Sequence, residues 1–180
     1  MDNSINSKHL LDLERPSTSR AVHGQSTDNE KTEDWAYAAN GCVPANAFCI
    51  DDEDIFVHPA HVGVIFTPYY GIVPGMLLPE VGVVGVLPDC ASPFIERKQY
   101  YALIGKDFFW RPYDSKKWNC TPSDGYAIKN KGHEWYLIGR CEVDGVFLVG
   151  MIFRKILFVR KNDEVLKIEE RYEILCKKRK

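Results

Sequence analysis

Neither sign of charge dominates this 180-residue chain: 23 Lys and Arg stand against 25 Asp and Glu, a formal net charge of -2. Neutralising a phosphate backbone takes a clear excess of basic side chains, so the balance argues against general nucleic-acid binding. The basic residues that do gather come late, at Arg154-Lys155, Arg160-Lys161 and Lys177-Lys178-Arg179-Lys180, and residues 177–180 read as a short solvated tail. Long apolar runs are missing too. No stretch reaches about 18 uninterrupted apolar residues, so no membrane span is expected. The start, Met1-Asp2-Asn3-Ser4-Ile5-Asn6-Ser7, carries neither the basic residues nor the apolar run of a secretory signal, and the expected location is cytoplasmic.

Catalytic signatures are equally scarce. The sequence holds no Gly-x-Ser-x-Gly elbow, no glycine loop followed by Lys-Ser or Lys-Thr, and no His-Glu-x-x-His. The glycine-rich strand-to-helix turn of a dinucleotide or methyl-donor site is absent as well. These gaps make an enzyme unexpected, and no cofactor is implied. His58, His61 and His133 are accompanied by no Cys-x-x-Cys pair, so no metal site is expected. The six cysteines, Cys42, Cys49, Cys90, Cys120, Cys141 and Cys176, read as free thiols in a reducing compartment. Asn119-Cys120-Thr121 has the form of a glycosylation acceptor that would go unused without export.

What is present divides the chain by texture. Residues 1–34 are rich in Ser, Asn, Asp, Glu and Lys with few large apolar side chains, and burial there cannot offset the entropy of ordering. They read as a disordered leader. From Trp35 onward, short runs of Val, Ile, Phe, Tyr and Leu alternate with Gly and Pro, the pattern of strands and tight turns. Examples are Val62 to Phe66, Val81 to Leu87, Val146 to Val149 and Ile156 to Val159. With no apolar stripe at helical spacing, the expected fold is all-β and sandwich-like.

The chain also repeats itself. Tyr70-Gly71-Ile72-Val73-Pro74-Gly75-Met76 aligns with Asp144-Gly145-Val146-Phe147-Leu148-Val149-Gly150-Met151, each reached from an apolar run holding Gly63 or Gly139. Tyr101-Ala102-Leu103-Ile104 aligns with Tyr172-Glu173-Ile174-Leu175, about 70 residues further on. Such a period predicts two tandem copies of a twisted antiparallel unit, residues 35–105 and 106–176, related by a pseudo-twofold, with a ligand cleft at their seam.

These residues resemble the DM-nine repeat family of invertebrate proteins. Its repeats open on Trp, pass through Asn-Gly-x-(Ile/Val)-Pro-x-Asn-Ala and an acidic position, enter Tyr-Val-Gly-Arg-Ala, turn at Pro-Gly-Lys and close on Tyr-Glu-Val-Leu. Trp35 with Asn40-Gly41-Cys42-Val43-Pro44-Ala45-Asn46-Ala47 matches the opening, and Leu137-Ile138-Gly139-Arg140-Cys141 with Tyr172-Glu173-Ile174-Leu175 matches the later part. The resemblance implies recognition of mannose-type sugars in innate immunity, with the sugar held by the acidic residue and the turn Lys. On physical grounds a carboxylate accepts from vicinal hydroxyls while an ammonium donates back. In this chain the Lys position is Met76 in the first copy and Met151 in the second, and methionine cannot donate. The acidic position falls within Asp51-Asp52-Glu53-Asp54, with Asp52 and Asp54 as candidates, and on Asn130 in the second copy.

Arg140 is the remaining candidate, since a charge inside an apolar strand needs a partner, which could be a ligand, a contact with the other repeat, or an internal ion pair. Trp35, Trp110, Trp118 and Trp135 are expected in the core rather than as sugar-stacking faces. Two readings stand open: a lectin-like module binding a glycan, or a degenerate relative serving as a protein-interaction or structural module. The expected partners are a glycan and a second copy of the chain.

Overall fold

The computed structural model describes residues 34–51, 59–68, 70–89, 93–114, 116, 122–129 and 135–179. Residues 1–33, the expected leader apart from Asp34, lie outside this set. So do Asp52, Asp54 and Asn130.

Among the described residues there are thirteen strands and no helix: β1 (Trp35–Ala38), β2 (His61–Thr67), β3 (Gly71–Leu78), β4 (Gly82–Gly85), β5 (Phe94–Glu96), β6 (Tyr100–Leu103), β7 (Phe108–Tyr113), β8 (Ala127–Lys129), β9 (Trp135–Val143), β10 (Val146–Phe153), β11 (Ile156–Lys161), β12 (Glu164–Ile168) and β13 (Tyr172–Lys177). The chain is all-β, in two antiparallel sheets. The first runs β1-β6-β2-β3-β4-β5, and the second runs β7-β13-β9-β10-β11-β12 with β8 paired to β9 off that path. Read this way the two orders correspond strand for strand, β2 and β3 answering to β9 and β10.

Local chemistry explains the hairpins. Asp144 and Gly145, at φ of 53° and 77°, form the two-residue link between β9 and β10, with Val143 facing Val146. Both backbone angles lie in the left-handed region, where Asp and Gly cost least. Arg154 and Lys155, at 50° and 66°, link β10 to β11 in the same way without that preference.

The centres of the two sheets share one register. Gly63 faces Gly75 on β2 and β3, and Gly139 faces Gly150 on β9 and β10. A Cβ on Gly75 would strike the backbone carbonyl of Val84, and one on Gly150 the carbonyl of Phe158. The equivalent glycines therefore meet equivalent backbone. The register also corrects the sequence alignment of the last strands. Ala102 faces Gly63 and Ile174 faces Gly139, so Tyr100 rather than Tyr101 answers to Tyr172. Both tyrosines are buried, and each donates its hydroxyl to a backbone carbonyl, Tyr100 to Cys42 at 2.8 Å and Tyr172 to Lys155 at 2.9 Å. A buried phenol needs such a partner, and this shared need fixes the equivalence.

Each sheet carries its own buried cluster. Ile65, Leu77, Val83 and Tyr100 anchor the first, and Tyr113, Leu157, Tyr172 and Ile174 the second. Where β3 packs against β10, Val73 meets Leu87, Tyr136 and Met151 in a third cluster. Lys177, assigned by sequence to a solvated tail, closes β13 instead. Its ammonium reaches both carboxylate oxygens of Asp34 at 2.6 Å. That carboxylate also accepts from the Tyr126 hydroxyl at 3.2 Å, which accepts in turn from Trp35 Nε1 at 2.9 Å. This chain of bonds ties the start of the first sheet to the second.

Substituting Gly150→Ala forces a methyl group into backbone rather than into a yielding side chain. The expected cost is about 1–3 kcal/mol, as for other overpacked interiors. Urea unfolding of the variant checks this, and a midpoint equal to that of the natural protein would show that the close approach does not exist.

Candidate functional site

Three of the residues singled out by sequence, Met76, Met151 and Arg140, fall among the described residues. Met151 is fully buried in the cluster shared by the two sheets, and Met76 is half-buried against the core of the second. Neither thioether presents a polar group to solvent. An open depression lies on the β11–β12 turn, lined by Lys161, Asn162, Asp163, Glu164 and Leu166, all from the second sheet.

Arg140 is buried in β9, 7% exposed, and its partners are internal. Nε pairs with the Glu173 carboxylate on β13, and Nη1 donates to the carbonyl of Ile50, which lies in the half of the chain that forms the first sheet. The guanidinium carbon stands 4.9 Å from the Trp110 ring centroid and 4.3 Å from that of Phe147. Aromatic faces and a carboxylate thus replace the water this cation has lost. Of the roles expected for Arg140, the geometry displays the internal ion pair with Glu173 and, through Ile50, a contact with the first half of the chain. Through Ile50 it also pins the segment that leads into the acidic run.

The tryptophans divide. Trp35 is core, Trp110 is half-buried beside Arg140 and Phe48, and Trp135 is exposed, contrary to expectation. Trp118 lies outside the described residues. Among the described residues no group of three or more His, Cys, Asp or Glu side chains converges as metal ligands. Burial pushes the Cys141 thiol up to about 11, and burial followed by the nearby Asp124 carboxylate does the same for Cys176. Cys42 is exposed.

A feature that sequence reasoning missed lies on the first sheet. Tyr37 on β1, Tyr101 on β6 and Phe66 on β2 form a ladder of rings across three neighbouring strands. Tyr37 sits 5.7 Å from Tyr101 at 76°, and Phe66 sits 5.7 Å from Tyr101 at 74°. Tyr37 is 56% exposed and Phe66 41%. Edge-to-face contacts of this kind add to sheet stability, yet they leave a large apolar surface in water. The ring at 37 is visible in sequence only as the third residue of Trp35-Ala36-Tyr37, and its neighbours become apparent only through cross-strand register.

Removing the guanidinium by Arg140→Met strands the Glu173 carboxylate and the Ile50 carbonyl. Stability is expected to fall by about 3 kcal/mol, the lower end for a broken buried pair because Glu173 keeps some solvent. Equilibrium unfolding measures it, and a loss below about 0.5 kcal/mol, typical of a surface site, would place Arg140 in solvent. For the thiols, alkylation of the native protein followed by mass mapping is expected to mark Cys42 and spare Cys141 and Cys176. The raised values carry a pH signature. The fold keeps both thiols protonated where the unfolded chain ionises, so stability is expected to fall as pH rises from the usual 9.0 through about 11. A thermal midpoint that stays flat across that window would show that these thiols are not desolvated.

No known protein-family model matches the chain, and no curated protein does. Among solved structures, the crystal structure of the nematode sperm cell motility protein MFP2B is similar, with 12% sequence identity and a TM-score of 0.56. The match covers 81% of this chain and 44% of that one, so the chain spans less than half the length of that protein. Likeness at this identity concerns the fold alone.

Proposed function

We propose that this chain is a non-enzymatic protein-interaction module whose contact surface is the aromatic ladder Tyr37–Tyr101–Phe66. The observation that carries the reading is the exposure of Tyr37 and Phe66 on either side of the half-buried Tyr101 on one sheet. Aromatic side chains present large area at low conformational cost, which is why they are concentrated at contact surfaces between proteins. The two turn positions where the family resemblance places a sugar-binding Lys support the same reading, since Met151 is buried and Met76 packs inward, and the separate candidate Arg140 is engaged by Glu173, Ile50, Trp110 and Phe147.

Mannose recognition, with the innate-immune role the resemblance implies, is the second reading. The same ladder is what favours it, because sugars stack on aromatic rings. Against it stands the tilt of 74° and 76° between neighbouring rings, which breaks up the flat platform a pyranose covers.

Calorimetric titration with mannose and mannobiose separates the two. Silence is expected, whereas saturable heat that vanishes in Tyr101→Ala would overturn the protein-interaction reading. In parallel, a photo-crosslinking residue at position 37 is expected to give protein adducts of discrete mass that disappear when Tyr101→Lys is added. Adducts indifferent to that second change would remove the ladder from the contact.

A further inference from the structure

The two halves serve as controls for one another, and at one cross-strand pair they differ in chemistry. Cys49 faces His61 across an antiparallel bridge at the start of β2, and Ala127 faces Leu137 where β8 pairs with β9. The two pairs hold the same place, since His61 precedes Gly63 as Leu137 precedes Gly139. In the second half an apolar pair satisfies the fold there. In the first half that place carries a thiol and an imidazole, which the sheet itself does not require.

Backbone bonds fix how the pair is presented. Ile50 donates its N–H to the carbonyl of Ala60 at 3.0 Å and Val62 donates to that of Phe48 at 3.2 Å, so Cys49 and His61 form the non-bonded pair between them. In such a pair the Cα atoms approach to about 4.5 Å and the two side chains stand together on one face. Cys49 is half-buried, and its Sγ lies 3.5 Å from the carbonyl of Ala60, a weak contact for a thiol. The Nδ1 atom of His61 is buried and, among the described residues, has no hydrogen-bond partner. Burial holds this imidazole below its usual 6.5, while the carbonyls of Ala47 and Phe48 pull the other way. At neutral pH the ring is therefore uncharged and able to take a proton.

We propose that Cys49 is an oxidation site for hydrogen peroxide, with His61 as the base that takes the thiol proton. The Sγ proton passes to the imidazole, and the sulfur attacks one peroxide oxygen. An S–O bond forms as the O–O bond breaks, and the departing hydroxide recovers the proton from His61 and leaves as water. The sulfur is oxidised to a sulfenic acid and the peroxide is reduced. Selective oxidation needs a thiol that is both reachable and assisted in losing its proton, and here the neighbouring imidazole supplies the assistance. Cys141 and Cys176, buried in the second half, have neither advantage. The inference goes beyond the protein-interaction reading and does not depend on the aromatic ladder.

Brief exposure of the full chain to limiting hydrogen peroxide in the presence of dimedone, which traps sulfenic acids, followed by mass mapping, is the test. The exposed Cys42 serves as the standard within the same molecule. Cys49 is expected to be labelled ahead of Cys42 although it is the less exposed of the two. His61→Leu is expected to slow the labelling of Cys49 by about tenfold or more and to leave Cys42 unchanged. That variant copies Leu137 of the second half, so the fold is expected to persist. His61→Gln, which stays polar but cannot take the proton, is expected to give the same loss. If one variant fails to fold by circular dichroism, the other decides. Labelling of Cys42 ahead of Cys49 in the natural protein overturns the inference. A Cys49 rate that survives either substitution in a folded chain overturns it as well, by leaving the imidazole without a part in the reaction.

Discussion

A guanidinium removed from water has to be matched by its surroundings, and the way Arg140 is matched organises the junction of the two halves. Its carboxylate partner comes from the neighbouring strand β13, its carbonyl partner from Ile50 in the other half, and its faces are covered by Trp110 and Phe147. The cost of desolvating the cation is offset only when these groups are held together. Arg140 thereby makes the packing of one half conditional on the position of the other. The equivalent position of the first sheet is Val64, opposite Tyr101 as Arg140 is opposite Glu173, and it needs no such partners. The two sheets share a strand order and differ at this point.

That asymmetry bears on function. In the second half the strand equivalent to β6 presents Glu173 to an internal cation. In the first half it presents Tyr101, which has no cation to satisfy and joins Tyr37 and Phe66 in an exposed ladder. One register position is spent on holding the halves together, and its counterpart is left as aromatic surface.

Much of the fold was legible because strand formation here is driven by local composition. The runs of β-branched and aromatic residues from Val62 to Phe66 and from Val146 to Val149 became strands β2 and β10, and Asp144-Gly145 became the turn its residues favour. Gly75 and Gly150, aligned by sequence, share one environment because a side chain at either would collide with the neighbouring backbone. Other features depend on the tertiary fold and left no local trace. Arg154-Lys155 makes a tight turn with residues that resist left-handed angles, so no turn signal precedes it. The alignment of Tyr101 with Tyr172 was one residue out, since a sequence shows two adjacent tyrosines but not which of them is buried. Lys177 reads as part of a solvated tail in sequence because its partner, Asp34, stands at the opposite end of the described chain. As for the candidate site, the chemistry of Met76 and Met151 could be read directly, while the exposure of Tyr37 depends on β1 being an edge, which only the strand order reveals.

The claim on which this account turns is that Arg140 is an internal tie rather than a residue reaching for a ligand. Nitrogen-detected NMR of the arginine side chains tests it most directly. The Arg140 Nε–H is expected as a resolved resonance with slow solvent exchange at neutral pH, unmoved by added mannose. Rapid exchange with water, or a shift on adding the sugar, would contradict the account.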